Sequence, residues 1–412
     1  MQAARMAILP IALLVLAGCD RIEISDRQKQ RGKIRRTAET YDRLSEEATV
    51  LGLRFRGSDT RRSQTYTDPF WKSLDEKVDQ LRRRDQSPKW VSEVKPELAL
   101  TTFAPIREEL ISLLQNRPLT DSNGMDPSAA SNTLAANFFI SRTSEGLLRH
   151  AHRRGEVGTV LRYLRLCRLC IDGAPDPLNF GMQIRLVSME EGYQLSLRDA
   201  INRIQDPGAL KEIGEFIRSK RVRSLHDVME GDLQDGFQLY DPDDSSNEII
   251  TQDIALNLQV PEAFIDVPEL EARRAICARQ LDRAIQFHKL LQDSAPTTPA
   301  ELRAVIQREK AELEKADNPA DALELGRIPV WMDYADLWER TQASVALTLA
   351  TLECKQAYLR EKSWPTTSNV TNPASGRPFT LSLASGNLKI EGEGVRPSRT
   401  TGFNRLQTVL NP

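Results

Sequence analysis

The stretch from Thr133 to Asp172 reads TLAANFFISRTSEGLLRHAHRRGEVGTVLRYLRLCRLCID, and its pattern decides the fold. Leu134 to Arg153 has helical periodicity, Arg154-Gly155-Glu156 makes a turn, and Val157 to Ile171 resumes the period until Gly173, Pro175 and Pro177 stop it. So short a connection between two long helices sets them antiparallel. In the second helix Val157, Val160, Leu161, Leu164, Cys167 and Ile171 share one side, while Leu166 and Leu169 make the opposite side apolar. A helix apolar on two sides is expected to be packed on both.

Outward from this hairpin the same period recurs. Phe70 to Arg84 carries Leu74, Val78 and Leu81 at spacings of four and three, and Pro105 to Gln115 carries Ile106, Leu110, Leu113 and Leu114. Further helices are expected at Lys33 to Leu51, Phe180 to Ile204, Pro207 to Lys220, Leu270 to Gln292, Pro299 to Lys315 and Tyr334 to Lys362. Polar breaks at 117–132 and 239–247 separate them. Aromatic residues make up only 6% of the chain, whereas Leu, Ala, Arg and Glu abound, side chains that lose little entropy in helices. With 28% charged residues and a net charge of -2, the composition is that of a globular protein, neither nucleic-acid-binding nor disordered. The hairpin has roughly the length of one tetratricopeptide unit, but its marker residues are mostly missing and no 34-residue period recurs. The expected fold is mainly α, an antiparallel helical bundle or irregular helical array with a small C-terminal β-hairpin.

That hairpin follows Trp364-Pro365, where Ser, Thr, Asn, Pro and Gly take over. Phe379, Leu381 and Leu383 alternate with Thr380, Ser382 and Ala384; across Ser385-Gly386-Asn387, Leu388 and Ile390 alternate with Lys389 and Glu391. A lone hairpin is marginal in water, so its apolar side is expected against the helix Tyr334 to Lys362, with the residues beyond Gly392 frayed.

At the other end, an apolar segment from Met6 to Ala17, preceded by Arg5, closes on Leu16-Ala17-Gly18-Cys19 and gives way abruptly to Asp20-Arg21-Ile22-Glu23. The segment is shorter than the roughly 20 apolar residues of a membrane span. Leu16-Ala17-Gly18-Cys19 resembles the lipobox of bacterial lipoproteins. The resemblance implies that residues 1–18 are a signal peptide and that Cys19 is the lipidation site and mature first residue, bearing a thioether-linked diacylglycerol and often a further acyl chain such as palmitate. Asp20 resembles the signal that retains enteric lipoproteins in the inner membrane. The expected organisation is a tether at 19–35, an N-terminal helical region at 36–116, a main helical domain at 133–362 and the hairpin module at 363–412.

A second resemblance lies at the C-terminus. A long Ala/Leu helix, Tyr358 to Pro365, then Asn372-Pro373 and Ser375-Gly376-Arg377-Pro378-Phe379 before a hairpin, is similar to the terminal module of type II secretion pseudopilins and of uncharacterised planctomycete-type envelope proteins. The chain departs from it in having Asn372 where the family usually has Asp, and a lipobox where pilins carry their own processing signal.

Chemistry is sparse. There is no Gly-x-Ser-x-Gly, phosphate-cradling loop or His-Glu-x-x-His. Cys167 and Cys170 have redox spacing, but sit near a helix end rather than at its start. With Cys277 and Cys354 they could make a thiolate zinc site or two disulfides, or remain inert core thiols. His288 falls on a stripe with Cys277, Leu281, Ala284 and Leu291 and is expected to face the core. His150 and His152 point apart, and His226 lacks a nucleophile in sequence. Asp241, Asp243 and Asp244 lack the spacing of a calcium loop. Arg82 to Arg84, Arg149 to Arg154, and Arg162, Arg165 and Arg168 read as solvated helix faces or as surfaces meeting anionic lipid headgroups. No catalytic, cofactor-binding or metal residue is assigned and no cofactor is expected. The expected role is binding or scaffolding at a periplasmic membrane surface, through the lipid and an envelope protein partner, without nucleic acid. The alternatives are an accessory subunit of a secretion or pilus-like system, and an envelope enzyme with a site assembled from scattered residues.

Overall fold

The computed structural model describes residues 24–51, 73, 76, 96–116, 127–174, 180–218, 269–315, 319–394 and 406–412. Cys19, Asp20, most of the expected helix at 70–84, Arg82 to Arg84, His226 and the loop 239–247 with its aspartates lie outside the described residues. The protein is mainly α with a small C-terminal antiparallel sheet. The helices are α1 (Ile24–Glu39), α2 (Tyr41–Val50), α3 (Pro96–Gln115), α4 (Pro127–Arg154), α5 (Val157–Asp172), α6 (Phe180–Arg203), α7 (Pro207–Arg218), α8 (Glu269–Ser294), α9 (Pro299–Lys315) and α10 (Pro319–Glu361). No helix among the described residues is long and apolar enough to cross a membrane.

The chain divides into two compact units, one of residues 1–57, 236–289 and 310–326, the other of residues 58–235, 290–309 and 327–412. In the first unit, the single helix expected from Lys33 is two, and it starts earlier, at Ile24. The break is at Thr40, whose amide and hydroxyl both donate to Thr37 O (3.1 and 2.7 Å) while its own carbonyl accepts from Leu44 N (3.0 Å), so the helix restarts there. Ile34 and Ala38 pack against Ala275 of α8, and surface pairs join α2 to α8: Asp42 with Arg274 (2.5 Å) and Glu47 with Lys289 (2.8 Å). His288 and Cys277 are buried, as their stripe required.

In the second unit α5 is the buried centre. It packs against α3, α4, α6 and α7, which explains why its sequence is apolar on two sides. The α4–α5 turn is made at Gly155, which has a φ of +69°, and α4 starts at Pro127 rather than Thr133 because proline is well tolerated in the first helical turn. Asp206 caps α7 by accepting from Gly208 N (3.2 Å) and Ala209 N (3.1 Å). A reciprocal capping pair starts α9: Thr298 Oγ1 accepts from Glu301 N (3.2 Å), and Glu301 Oε2 accepts from Thr298 N (3.0 Å). α10 begins at Pro319, fifteen residues before the expected Tyr334, and carries Pro329 inside it.

α10 ends at Glu361, and the next residue, Lys362, has a φ of +54°. Trp364 then stacks on Tyr358, ring centroids 4.2 Å apart, and its Nε1 donates to Gly386 O (3.0 Å), tying the helix end to the hairpin turn. Beyond the short pair β1 (Thr371–Asn372) and β2 (Arg377–Pro378) lie β3 (Thr380–Ala384), β4 (Asn387–Gly392) and β5 (Leu406–Leu410), in spatial order β3-β4-β5 and antiparallel throughout. Ser385 and Gly386 both have positive φ (53° and 81°), the backbone of a two-residue type I′ turn. Two expectations are corrected here. The segment past Gly392 is not wholly frayed, because 406–410 forms the third strand; and Leu383 on the edge strand is 63% exposed, because only the central strand lies fully on the core. Leu388, Ile390 and Leu410 join one core with Leu347, Ala350, Leu352 and Cys354 of α10.

Candidate functional site: a polar cleft between α4 and α6

α4 and α6 lie side by side and run in the same direction. Glu145 meets Gly192, and two helical turns further on His152 Nε2 lies 3.8 Å from Asp199 Oδ2, the two contacts having the same sequence offset. Along this seam opens a cleft of about 470 Å³, within the usual size range of small-ligand sites. α4 contributes Arg142, Glu145, Leu148 and Arg149, which recur on one helical face; α6 contributes Ser188, Glu191, Gly192, Leu195, Ser196 and Asp199.

Gly192 shapes the floor. A Cβ built there would stand 2.7 Å from Glu145 Oε1, so the absence of a side chain is what lets the Glu145 carboxylate lie against α6. Burial raises the Glu145 pKa above the usual carboxylate value, against the pull of Arg142, whose Nη1 lies 3.3 Å from Oε2. Burial also lowers the His152 pKa, opposed by Asp199. Asp199 in turn accepts from Arg203 Nε (2.9 Å).

In and behind the cleft, α6 carries a row of buried polar side chains answered from other helices. Glu190 pairs with Arg168 of α5 (Nη1 to Oε2 3.0 Å) and accepts from Gln194 Nε2 (2.8 Å). Arg168 also forks onto Asp172 (2.5 and 2.8 Å) and lies over the Tyr193 ring, 5.3 Å from its centroid. Burial works against the Arg168 charge, but Glu190 and Asp172 more than offset it and hold the pKa above the usual value. Arg168 is therefore a buried structural cation, not part of a solvated face, whereas Arg162 is surface-exposed and pairs with Glu108 (3.3 Å). Glu191 pairs with Arg340 of α10 (2.7 Å). Arg198 Nη1 donates to Ser344 O, Ser344 Oγ and Thr348 Oγ1 (3.1, 3.1 and 3.0 Å), and burial lowers its pKa to about 10. Lys355 Nζ donates to Asn202 O (3.2 Å) and Asn411 O (3.0 Å), pinning the last strand to α6.

Among the described residues, Cys167, Cys170, Cys277 and Cys354 are buried and form no disulfide. Cys167 and Cys170 on α5 and Cys354 on α10 belong to the second unit, and Cys277 to the first. Burial pushes the Cys167 and Cys354 pKa values up to about 12 and Cys170 well above its ordinary value, which suppresses the thiolate that redox or zinc chemistry needs. Among the described residues no cluster of three or more His, Cys, Asp or Glu has metal-holding geometry. His150 is buried within α4, and His152 approaches the Asp199 carboxylate.

No protein family, curated protein or solved structure matches the chain. Its function is therefore argued from its own residues. Sequence reasoning singled out the Arg149 to Arg154 run and His152 but missed the cleft, because the α6 half comes from residues some fifty positions away that look like an ordinary amphipathic helix.

Proposed function

We propose that this is a lipid-anchored protein of the bacterial cell envelope whose helical body acts by binding. The observation that carries the anchor is the run Met6 to Ala17 closing on Leu16-Ala17-Gly18-Cys19: apolar residues of secretory length, small residues that open the backbone to processing enzymes, and a thiol at the alkylation position. Each buried methylene contributes about 0.8 kcal/mol and a single chain holds only marginally, so the two or three acyl chains of a lipoprotein account for stable attachment. The cleft between α4 and α6 supports the binding half of the reading: it is a concave surface of small-ligand size that combines charged groups of both signs with Leu148 and Leu195.

Metabolic labelling with a palmitate analogue, followed by membrane fractionation, tests the anchor. The wild-type chain should be labelled at Cys19 and need detergent for release, and Cys19→Ala should be unlabelled; an unmodified Cys19 thiol in the wild-type chain would overturn the anchor. In-cell crosslinking and recovery of the anchored protein tests the binding half, a stable envelope partner being expected.

A further inference from the structure

We infer that the cleft between α4 and α6 binds a small organic oxyanion, a carboxylate or phosphate monoester carrying a short apolar body, with Arg149 as the anion's counter-charge. The inference rests on the binding half of the reading above and is independent of the anchor at Cys19.

The electrostatics of the lining point to this class. Three carboxylates face the cleft, and each is already matched by an arginine: Glu145 by Arg142 at 3.3 Å, Glu191 by Arg340 at 2.7 Å and Asp199 by Arg203 at 2.9 Å. Arg149 is the cation left over: among the described residues its guanidinium makes no hydrogen bond or ion pair, although it lies near enough to Glu145 to act on its charge. Burial raises the Glu145 pKa, against the pull of Arg142 and Arg149. A guanidinium presents its donors in a planar fork that matches a carboxylate or phosphate.

The rest of the lining describes the ligand beyond its charged end. The Ser196 hydroxyl also makes no hydrogen bond among the described residues and is available to the oxyanion or to a neighbouring polar atom. Leu195 is 40% exposed at the rim, beside the buried Leu148, and offers an apolar wall for a short hydrocarbon segment. At about 470 Å³ the space suits a metabolite-sized molecule.

The experiment is isothermal titration of the purified full-length protein, in detergent and at low ionic strength, with hexanoate, hexyl phosphate and hexylammonium. Saturable binding of hexanoate or hexyl phosphate at one site, with hexylammonium not binding, is expected; which anion binds more tightly distinguishes the carboxylate from the phosphate class. Arg149→Gln should weaken the anion at least tenfold and Ser196→Ala several-fold, whereas Arg153→Gln, exposed one turn further along α4 and outside the lining, should leave it unchanged. Gly192→Ala supplies a variant that leaves Arg149 intact: its methyl pushes the flexible Glu145 carboxylate into the cleft, and it should also weaken binding tenfold or more. Tighter binding of hexylammonium would overturn the ligand class while leaving the binding role standing. Absence of saturable heat with either anion, or equal losses from Arg149→Gln and Arg153→Gln, would overturn the site itself.

Discussion

Arg340 Nε lies 2.7 Å from Glu191 Oε1, with both side chains less than a tenth exposed, and this pair sets the register of α10 against α6. Further along, Arg198 reaches Ser344 and Thr348, and Lys355 reaches Asn202, so the polar contacts ascend both helices together and the helices run parallel. Hydrophobic packing alone tolerates a one-turn slip far better than a row of buried charges does, because a slipped charge loses its partner without regaining water.

Breaking that pair should be expensive. Arg340→Leu or Glu191→Leu alone should lower unfolding free energy by about 3 to 5 kcal/mol, since each removes one half of a buried ion pair. The double substitution should cost clearly less than the two singles together. Urea denaturation of the four proteins reads the coupling; strict additivity would show that the pair carries no register energy.

Glu145 makes stability depend on pH with a definite sign. Its pKa in the folded protein is above 4.5, so the native state holds its proton more tightly than the unfolded chain. The resulting stabilisation is full below pH 4.5 and is lost as pH rises through the folded pKa. Glu145→Gln should therefore gain stability relative to wild type as pH rises from 4 to 7. His152 contributes with the opposite slope, its lowered pKa costing stability as pH falls below 6.5. Denaturation midpoints of wild type and Glu145→Gln across this range check the first sign, and a constant difference would refute it.

The buried thiols should be chemically silent. Native protein treated with iodoacetamide at pH 8 should remain unalkylated at Cys167, Cys170 and Cys354 and become fully alkylated in denaturant, as peptide mass spectrometry would show. Rapid native alkylation at Cys167 or Cys170 would mean that α5 is not held in the core.

Within the sheet, side chains of like chemistry should differ widely in cost. Leu388→Ala removes a fully buried side chain and should lower stability by about 2 to 5 kcal/mol. Leu383→Ala removes one that is 63% exposed and should fall within about 0.5 kcal/mol. Equal losses in thermal or urea unfolding would mean that the edge strand is covered after all.

The helical hairpin at 133–172, the two-sided burial of α5 and the turn at Ser385-Gly386 were legible in sequence because each follows from local rules: a 3.6-residue period, punctuation by Gly and Pro, and an alternating pattern around a turn. The restart of helix at Thr40 and the early start of α10 were not, because a threonine or an internal proline does not by itself say whether flanking turns will bridge it. Strand β5 escaped for another reason. Leu406, Thr408 and Leu410 show little pattern alone and become a strand through pairing with β4, whose residues stand some eighteen positions earlier. Arg168 read as one of three surface arginines, since a helix face carrying charge looks the same whether water or Glu190 answers it.

By itself, then, the sequence determined the helical class, the places where the chain turns and the lipobox-like stretch at Cys19, all properties of neighbouring residues and their spacing. Tertiary structure alone decided which charges are buried and paired, that Cys167, Cys170, Cys277 and Cys354 are buried, and that α4 and α6 run side by side with a cleft between them. Those outcomes depend on which distant residue arrives opposite each side chain, and desolvation and pairing energies are defined only once it has arrived.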